Sequence, residues 1–135
     1  METYTTKQFA QLFDVNEPTI RYYTNLGVLP CQRDENNQRI FNEMSVRMMK
    51  DINCLKYCGA SLEDIKEYYA LCQKSCSKQS LQERHAFMLK LKEQAKKRME
   101  MAKSSYECME WKVNHLEEIM DGKIPDDTNP YCLYS

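Results

Sequence analysis

Residues 5–30 read TTKQFAQLFDVNEPTIRYYTNLGVLP, and the placement of their hydroxyl, amide, proline and glycine residues decides the fold. Thr5 and Gln8 have the spacing of a capping box, and Phe9, Leu12 and Phe13 follow as an apolar stripe, which predicts a first helix of about two turns. Asp14 and Val15 turn the chain. Asn16 is placed to cap a second helix, with Glu17 and Pro18 in its first turn and Gly27 as its stop. Two short helices joined by so tight a turn have the spacing of a helix-turn-helix.

Beyond Pro30, the stretch from Cys31 to Phe41 has a polar, turn-forming centre at Asp34, Glu35, Asn36 and Asn37. Its flanks can pair as short strands, which predicts a β-hairpin wing. A third helix is expected from Glu43 to Tyr57 on Met44, Val46, Met48, Met49, Ile52 and Leu55, ended by Gly59. Ser61 and Asp64 then cap a fourth, with Leu62, Ile65, Tyr68, Tyr69 and Leu71 on its buried side.

After that the period changes. Ser80 and Glu83 again have capping-box spacing. Leu81, His85, Met88, Lys92, Ala95, Met99, Ala102, Tyr106, Met109, Val113, Leu116 and Met120 then alternate by four and three. A helix over 81–120 would run roughly 60 Å, so one copy of the chain cannot bury its stripe. A self-complementary contact between two copies buries both stripes at once, with Met88, Ala95, Met99, Ala102, Tyr106, Met109, Val113, Leu116 and Met120 as the dimerisation seam. The alternative is a helix folded back over its own domain. Gly122 and Pro125 end the helix.

The chain of 135 residues has three Gly and four Pro against 29% charged and 42% hydrophobic residues. That composition describes a mainly α protein and argues against an all-β fold or a Gly-rich phosphate loop. The expected organisation is a winged helix-turn-helix domain at 1–76, a dimerisation helix at 77–122 and a tail at 123–135. METYTTKQFA lacks the pattern of a secretory signal, and no run approaches a membrane span, which points to the cytoplasm and to no membrane partner. Seven Cys, an odd number, fit reduced thiols better than a disulfide scaffold. With a net charge of −1 no global field attracts polyanions, so nucleic-acid binding requires a local patch.

Tyr4-Thr5, Asn16-Glu17-Pro18-Thr19-Ile20-Arg21-Tyr22-Tyr23, Leu26-Gly27-Val28-Leu29-Pro30, Arg39-Ile40-Phe41 and Gly59-Ala60-Ser61-Leu62-Glu63-Asp64-Ile65 resemble, in order and spacing, the winged-helix domain of MerR-family transcription regulators. The resemblance covers residues 3 to about 73, and the long helix resembles the family's antiparallel dimerisation element. It implies a homodimer on double-stranded promoter DNA that acts on RNA polymerase indirectly, by distorting an overlong promoter spacer. It implies a DNA-contacting set of Asn16, Thr19, Arg21, Tyr22, Arg39, Phe41 and Lys56, with Arg21 and Tyr22 mainly on the sugar-phosphate backbone, Arg39 in the wing, and Lys56 beside a second wing at 57–61. Since the second helix must bury one face, Tyr23 is assigned to packing and Tyr22 to DNA. Where the family usually has Gly in the wing turn this chain has Asn37, which tolerates positive φ. Residues 1–76 carry nine basic and ten acidic side chains, so binding is expected to be strongly salt dependent.

The cysteines are the candidate sensors. Ile52-Asn53-Cys54-Leu55-Lys56-Tyr57, the compact length, a second Cys at Cys72 and the stretch Glu110-Trp111-Lys112-Val113 resemble the short MerR-type regulators that respond to aldehydes and thiol stress. That implies a sensor at Cys54, with Cys72 as its second thiol. Lys50 and Lys56 place positive charge near Cys54, while the helix C-terminus opposes ionisation there. An adduct at Cys54 is expected to alter packing between the third and fourth helices. A metal-responsive reading stays open, with a soft ion held by Cys72, Cys76 and Cys132, provided that Cys72 and Cys76 share one helical face. Cys31, Cys58 and Cys108 read as structural. Trp111, off the seam, is expected either to dock on the partner's DNA-binding domain or to pack on the tail from Tyr131 to Tyr134. Two His, no metal-ligand triad and no His near Cys54 in sequence argue against an enzyme, and no cofactor is expected. The remaining alternative is a scaffold using the helix-turn-helix for protein contacts.

Overall fold

The computed structural model describes residues 2–74 and 76–132. Its elements are β1 (Tyr4–Thr5), α1 (Thr6–Leu12), α2 (Glu17–Leu26), β2 (Gln32–Arg33), β3 (Arg39–Phe41), α3 (Glu43–Tyr57), α4 (Leu62–Lys74) and α5 (Lys78–Met120). The chain divides into two compact units, Met1–Leu91 and Lys92–Ser135.

Local hydrogen bonds set the helix ends of the first unit. The Thr5 hydroxyl accepts from the Gln8 backbone N–H, and the Gln8 side chain accepts from the Thr5 N–H, so both arms of the capping box form. Asn16 caps α2, and Gly27 ends it in the left-handed region at φ 87°. Asn42 and Ser45 cap α3 reciprocally. Ser61 and Asp64 do the same before α4. Each pair satisfies backbone donors that the first helical turn leaves open.

The sheet has three antiparallel strands in the order β1-β3-β2, with Tyr4 opposite Phe41 and Gln32 opposite Ile40. Strand β1 was not expected from the sequence, because two residues carry no periodicity. Its pairing with β3 ties the chain start to the wing. At the wing turn the Asp34 carboxylate accepts the backbone N–H groups of Asn36 and Gln38, and Asn37 takes φ 59°, so the turn survives without glycine.

Phe9, Ile20, Tyr23, Phe41, Met49, Ile52 and Ile65 form the centre of the core. The rings of Phe9 and Phe41 stack at 4.4 Å between centroids. Phe87 from the start of α5 is buried, with its ring 6.3 Å from Tyr68. The fourth and fifth helices are joined here by a residue outside the expected seam.

α5 begins earlier than the Ser80–Glu83 spacing suggests. Ser77 is the capping group, its hydroxyl accepting from the Ser80 N–H at 3.1 Å. Ser80 is buried instead, and Glu83 lies 3.6 Å from Lys74. Burial of Phe87 and Ser80 outweighs a local capping option here, as tertiary contacts commonly do.

In the second unit, α5 exposes Met99, Tyr106, Met109, Val113, Leu116 and Met120, which recur at heptad spacing. The tail returns to the same helix on another face: the Trp111 and His115 rings stack at 4.8 Å and 11°, and His115 Nε2 lies 2.7 Å from Asp127 Oδ1. Hydrogen bonds from the Thr128 backbone N–H and hydroxyl hold the Asp126 carboxyl below its ordinary range. Trp111 itself stays 62% exposed; it shares a pocket with Thr128 of the tail, while Asp127 is met by His115 and Tyr131 is exposed. Tyr134 lies outside the described residues. No helix is long and apolar enough to cross a membrane among the described residues.

Candidate nucleic-acid interface

The helix-turn-helix presents the N-terminal turn of α2. Asn16 Oδ1 accepts from the Thr19 backbone N–H at 2.9 Å and from the Thr19 hydroxyl at 2.6 Å, so two of the expected contact residues begin as one capped unit. Arg21 lies 3.9 Å from Glu17, one turn back, with both side chains substantially exposed. An exposed pair of this kind stabilises by only about 0.3–0.5 kcal/mol, so a phosphate can take the guanidinium over. Arg21 and Lys7 line one open cleft of about 390 Å³ where α1 meets the first turn of α2. Lys7 was missed from sequence, since nothing in its local pattern marks which side of α1 faces α2.

Burial separates the two tyrosines as expected. Tyr23 is 3% exposed and Tyr22 is 50% exposed. Phe41 requires correction: at 0% exposure, stacked on Phe9, it is a core residue and cannot reach a base or phosphate. Its position beside Arg39 and Ile40 in the wing motif reflects strand pairing, which turns alternate residues inward.

Arg39 does not hang free from the wing. Its Nε donates to Thr24 Oγ1 at 3.0 Å and its guanidinium donates to Asn25 Oδ1 at 3.1 Å. The Thr24 hydroxyl in turn donates to the Arg21 carbonyl at 2.8 Å. The wing is thus clasped to the C-terminal half of α2. Arg33, which the sequence reading passed over, donates to the Asn37 carbonyl at 3.0 Å and braces the turn.

Lys56, though exposed, also meets α2, donating to the Tyr23 hydroxyl at 2.7 Å with its ammonium 5.5 Å from the ring centroid. The adjoining turn is set by Gly59 at φ 89°, with the Ala60 N–H donating to the Leu55 carbonyl. Tyr57 is 93% exposed beside it. Arg39 and Lys56 are therefore each held by side chains of α2, Thr24 and Asn25 for the first and Tyr23 for the second.

The cysteines divide by exposure. Cys54, Cys58, Cys76, Cys108 and Cys132 are exposed, while Cys31 and Cys72 are half-buried. Cys54 lies away from Met49 and Ile52, the apolar residues that α3 buries. The thiol therefore stands outside the packing between α3 and α4 through which its adduct was expected to act. Its carbonyl accepts from the Cys58 N–H at 3.0 Å, so it sits in the turn that leads into the 57–61 loop. Cys72 and Cys76 do not share a helical face, because α4 ends at Lys74. Among the described residues no group of three or more His, Cys, Asp or Glu is placed to hold a metal ion.

Residues 4–71 match the sequence profile of the family described as MerR HTH family regulatory protein. An uncharacterized HTH-type transcriptional regulator of Haemophilus influenzae is 37% identical over 67 residues, which are 49% of this chain and 50% of that one. The chain thus spans about half the length of that relative. The uncharacterized HTH-type transcriptional regulator YyaN of Bacillus subtilis is 29% identical over 121 residues, 89% of this chain and 85% of that one. Among solved structures, HiNmlR, a MerR family regulator lacking the sensor domain and bound to promoter DNA, superposes with a TM-score of 0.70 at 26% identity. That match covers 89% of this chain and 94% of the other.

Proposed function

The chain belongs to the MerR HTH family of regulatory proteins, and from that premise we propose that it is a homodimeric transcription regulator. It binds double-stranded promoter DNA sequence-specifically and responds to electrophile or thiol stress at a cysteine. The observation that carries the reading is the pairing of α2, with Arg21 and Tyr22 exposed, to a wing clasped onto it through Arg39 and Thr24. A rigid relation between helix and wing lets both engage one stretch of duplex, with phosphate contacts setting register and few side chains reaching bases. Thr19 and Tyr22 are the base-proximal and backbone-proximal members of the set, and Asn16 orients Thr19. Distortion of the promoter spacer then reaches RNA polymerase through the DNA.

Arg21→Ala is expected to weaken binding about uniformly across sequences. It should also lower the slope of log affinity against log salt by about 1, read by anisotropy titration at several salt concentrations. A gel shift on a two-fold palindrome provides the primary test. Salt-sensitive specific binding supports the regulator, and none at low salt supports the scaffold alternative.

For the sensor we favour Cys54. It is exposed and so open to soluble electrophiles, and it lies one turn before the second wing, so an adduct there bears directly on that loop. Cys54→Ser is expected to abolish most of the inducible promoter output under formaldehyde, methylglyoxal and disulfide stress while leaving uninduced DNA affinity within about 2-fold, since surface substitutions change little. An unchanged response in a promoter-reporter assay sinks the assignment.

A further inference from the structure

A cleft of about 510 Å³ opens between the C-terminal end of α2, the segment leading into the wing, α3 and α4. That is the size of a small-molecule site. Its floor is apolar, from the buried Val28 and Leu29. Sulfur lines much of the rest: the thiols of Cys31 and Cys72 and the thioethers of Met44 and Met48. No charged side chain lines it among the described residues. Walls of this kind attract polarizable, uncharged molecules and disfavour ions, whose desolvation nothing there offsets.

We propose that this cleft is a receptor site for a small, uncharged, apolar electrophile, an activated alkene such as an enone or quinone, whose β-carbon becomes bonded to Cys72 Sγ. The proposal rests on the electrophile-responsive reading above and adds to it a second receptor with a selectivity that the exposed Cys54 lacks. The Cys72 sulfur forms a carbon–sulfur bond as the carbon–carbon π bond breaks, and the thiol proton ends on the α-carbon. The adduct is the sum of its two reactants, with no leaving group, oxidant or reductant. Tyr68 stands one turn before Cys72 on the same helix, α4. Burial, then the neighbouring Cys72, holds its hydroxyl above the ordinary tyrosine range. Arg84 Nε is buried with no hydrogen-bond partner among the described residues.

The cleft also explains how occupancy reaches DNA. Thr24 lines it, and the same hydroxyl that receives Arg39 joins α2 to the wing. A molecule held at Cys72 lies in the cleft whose wall carries that clasp.

The test uses the full chain, treated in parallel with N-phenylmaleimide and with a sulfonated maleimide, and followed by peptide mass spectrometry over time. At Cys72 the neutral reagent is expected to react at least about 10-fold faster than the charged one, the factor that corresponds to about 1.4 kcal/mol of ion exclusion. At the exposed Cys76 and Cys108 the two rates should agree within about 3-fold, because water solvates both reagents there. Met44→Trp, an exposed position at the cleft, is expected to slow neutral labelling of Cys72 about 10-fold by filling the site, with Cys76 and Cys108 unaffected. Equal selectivity at Cys72 and Cys108, or no effect of Met44→Trp, overturns the proposal. Cys54→Ser leaves this labelling pattern intact, so a failed promoter response and a failed cleft are told apart.

Discussion

Tyr106→Glu combined with Met109→Glu is expected to leave the chain monomeric at micromolar concentration and to lower operator affinity at least about 100-fold, because two half-sites held by one particle gain effective concentration that separate monomers lack. Both side chains are exposed within a single chain, at 67% and 56%, so neither substitution removes a packing contact from the protomer. In the two-fold dimer proposed above the same positions would face apolar partners, and glutamates there would bury unpaired charge. The 43-residue α5, about 65 Å long at 1.5 Å per residue, keeps its helical circular dichroism in this variant. Sedimentation velocity reads the oligomeric state, and a variant that still sediments as a dimer excludes this seam as the interface.

Phe41→Ala is expected to remove about 3–5 kcal/mol of stability, a large share of the roughly 5–15 kcal/mol available to a domain. The thermal midpoint should fall by about 12 °C or more. The residue is 0% exposed and stacks on Phe9 at 4.4 Å, so truncation opens a cavity where β3 meets α1. Phe41→Leu conserves most of the volume, and its expected cost is less than about 1.5 kcal/mol. The pair of variants separates packing from contact. With Phe41 in the core, Phe41→Leu binds DNA nearly as the natural chain does; loss of binding by a folded Phe41→Leu protein refutes the packing role.

Much of the helical frame was legible from spacing. Thr5 with Gln8, Asn16 before Pro18, Ser61 with Asp64 and Gly27 after Leu26 each satisfy a helix end within a few residues, and the structure uses all of them. The left-handed Asn37 was expected on other grounds, since it stands where the resembled family has glycine in the wing turn. Ser80 with Glu83 offered the same local option and lost it to Ser77, because Ser80 and Phe87 are buried. Strand β1 was invisible, since its only support is a partner strand far along the chain.

The candidate interface divides along the same line. The amphipathic reading of α2 assigned Tyr23 to the interior and Tyr22 to the exterior, but no periodicity showed that Arg39 would reach Thr24 and Asn25, fifteen and fourteen residues away. Nor did it show Lys56 meeting Tyr23, or Cys31 and Cys72 lining one cleft.

Sequence alone determined where α1 to α4 start and the heptad stripe of α5, because caps and periods act between residues three to seven apart. Only the tertiary structure decided that Phe41 belongs to the core, that the wing is braced against α2, and that two thiols share a pocket. Those outcomes depend on which distant surfaces exclude water together, and burial is a property of the assembled fold.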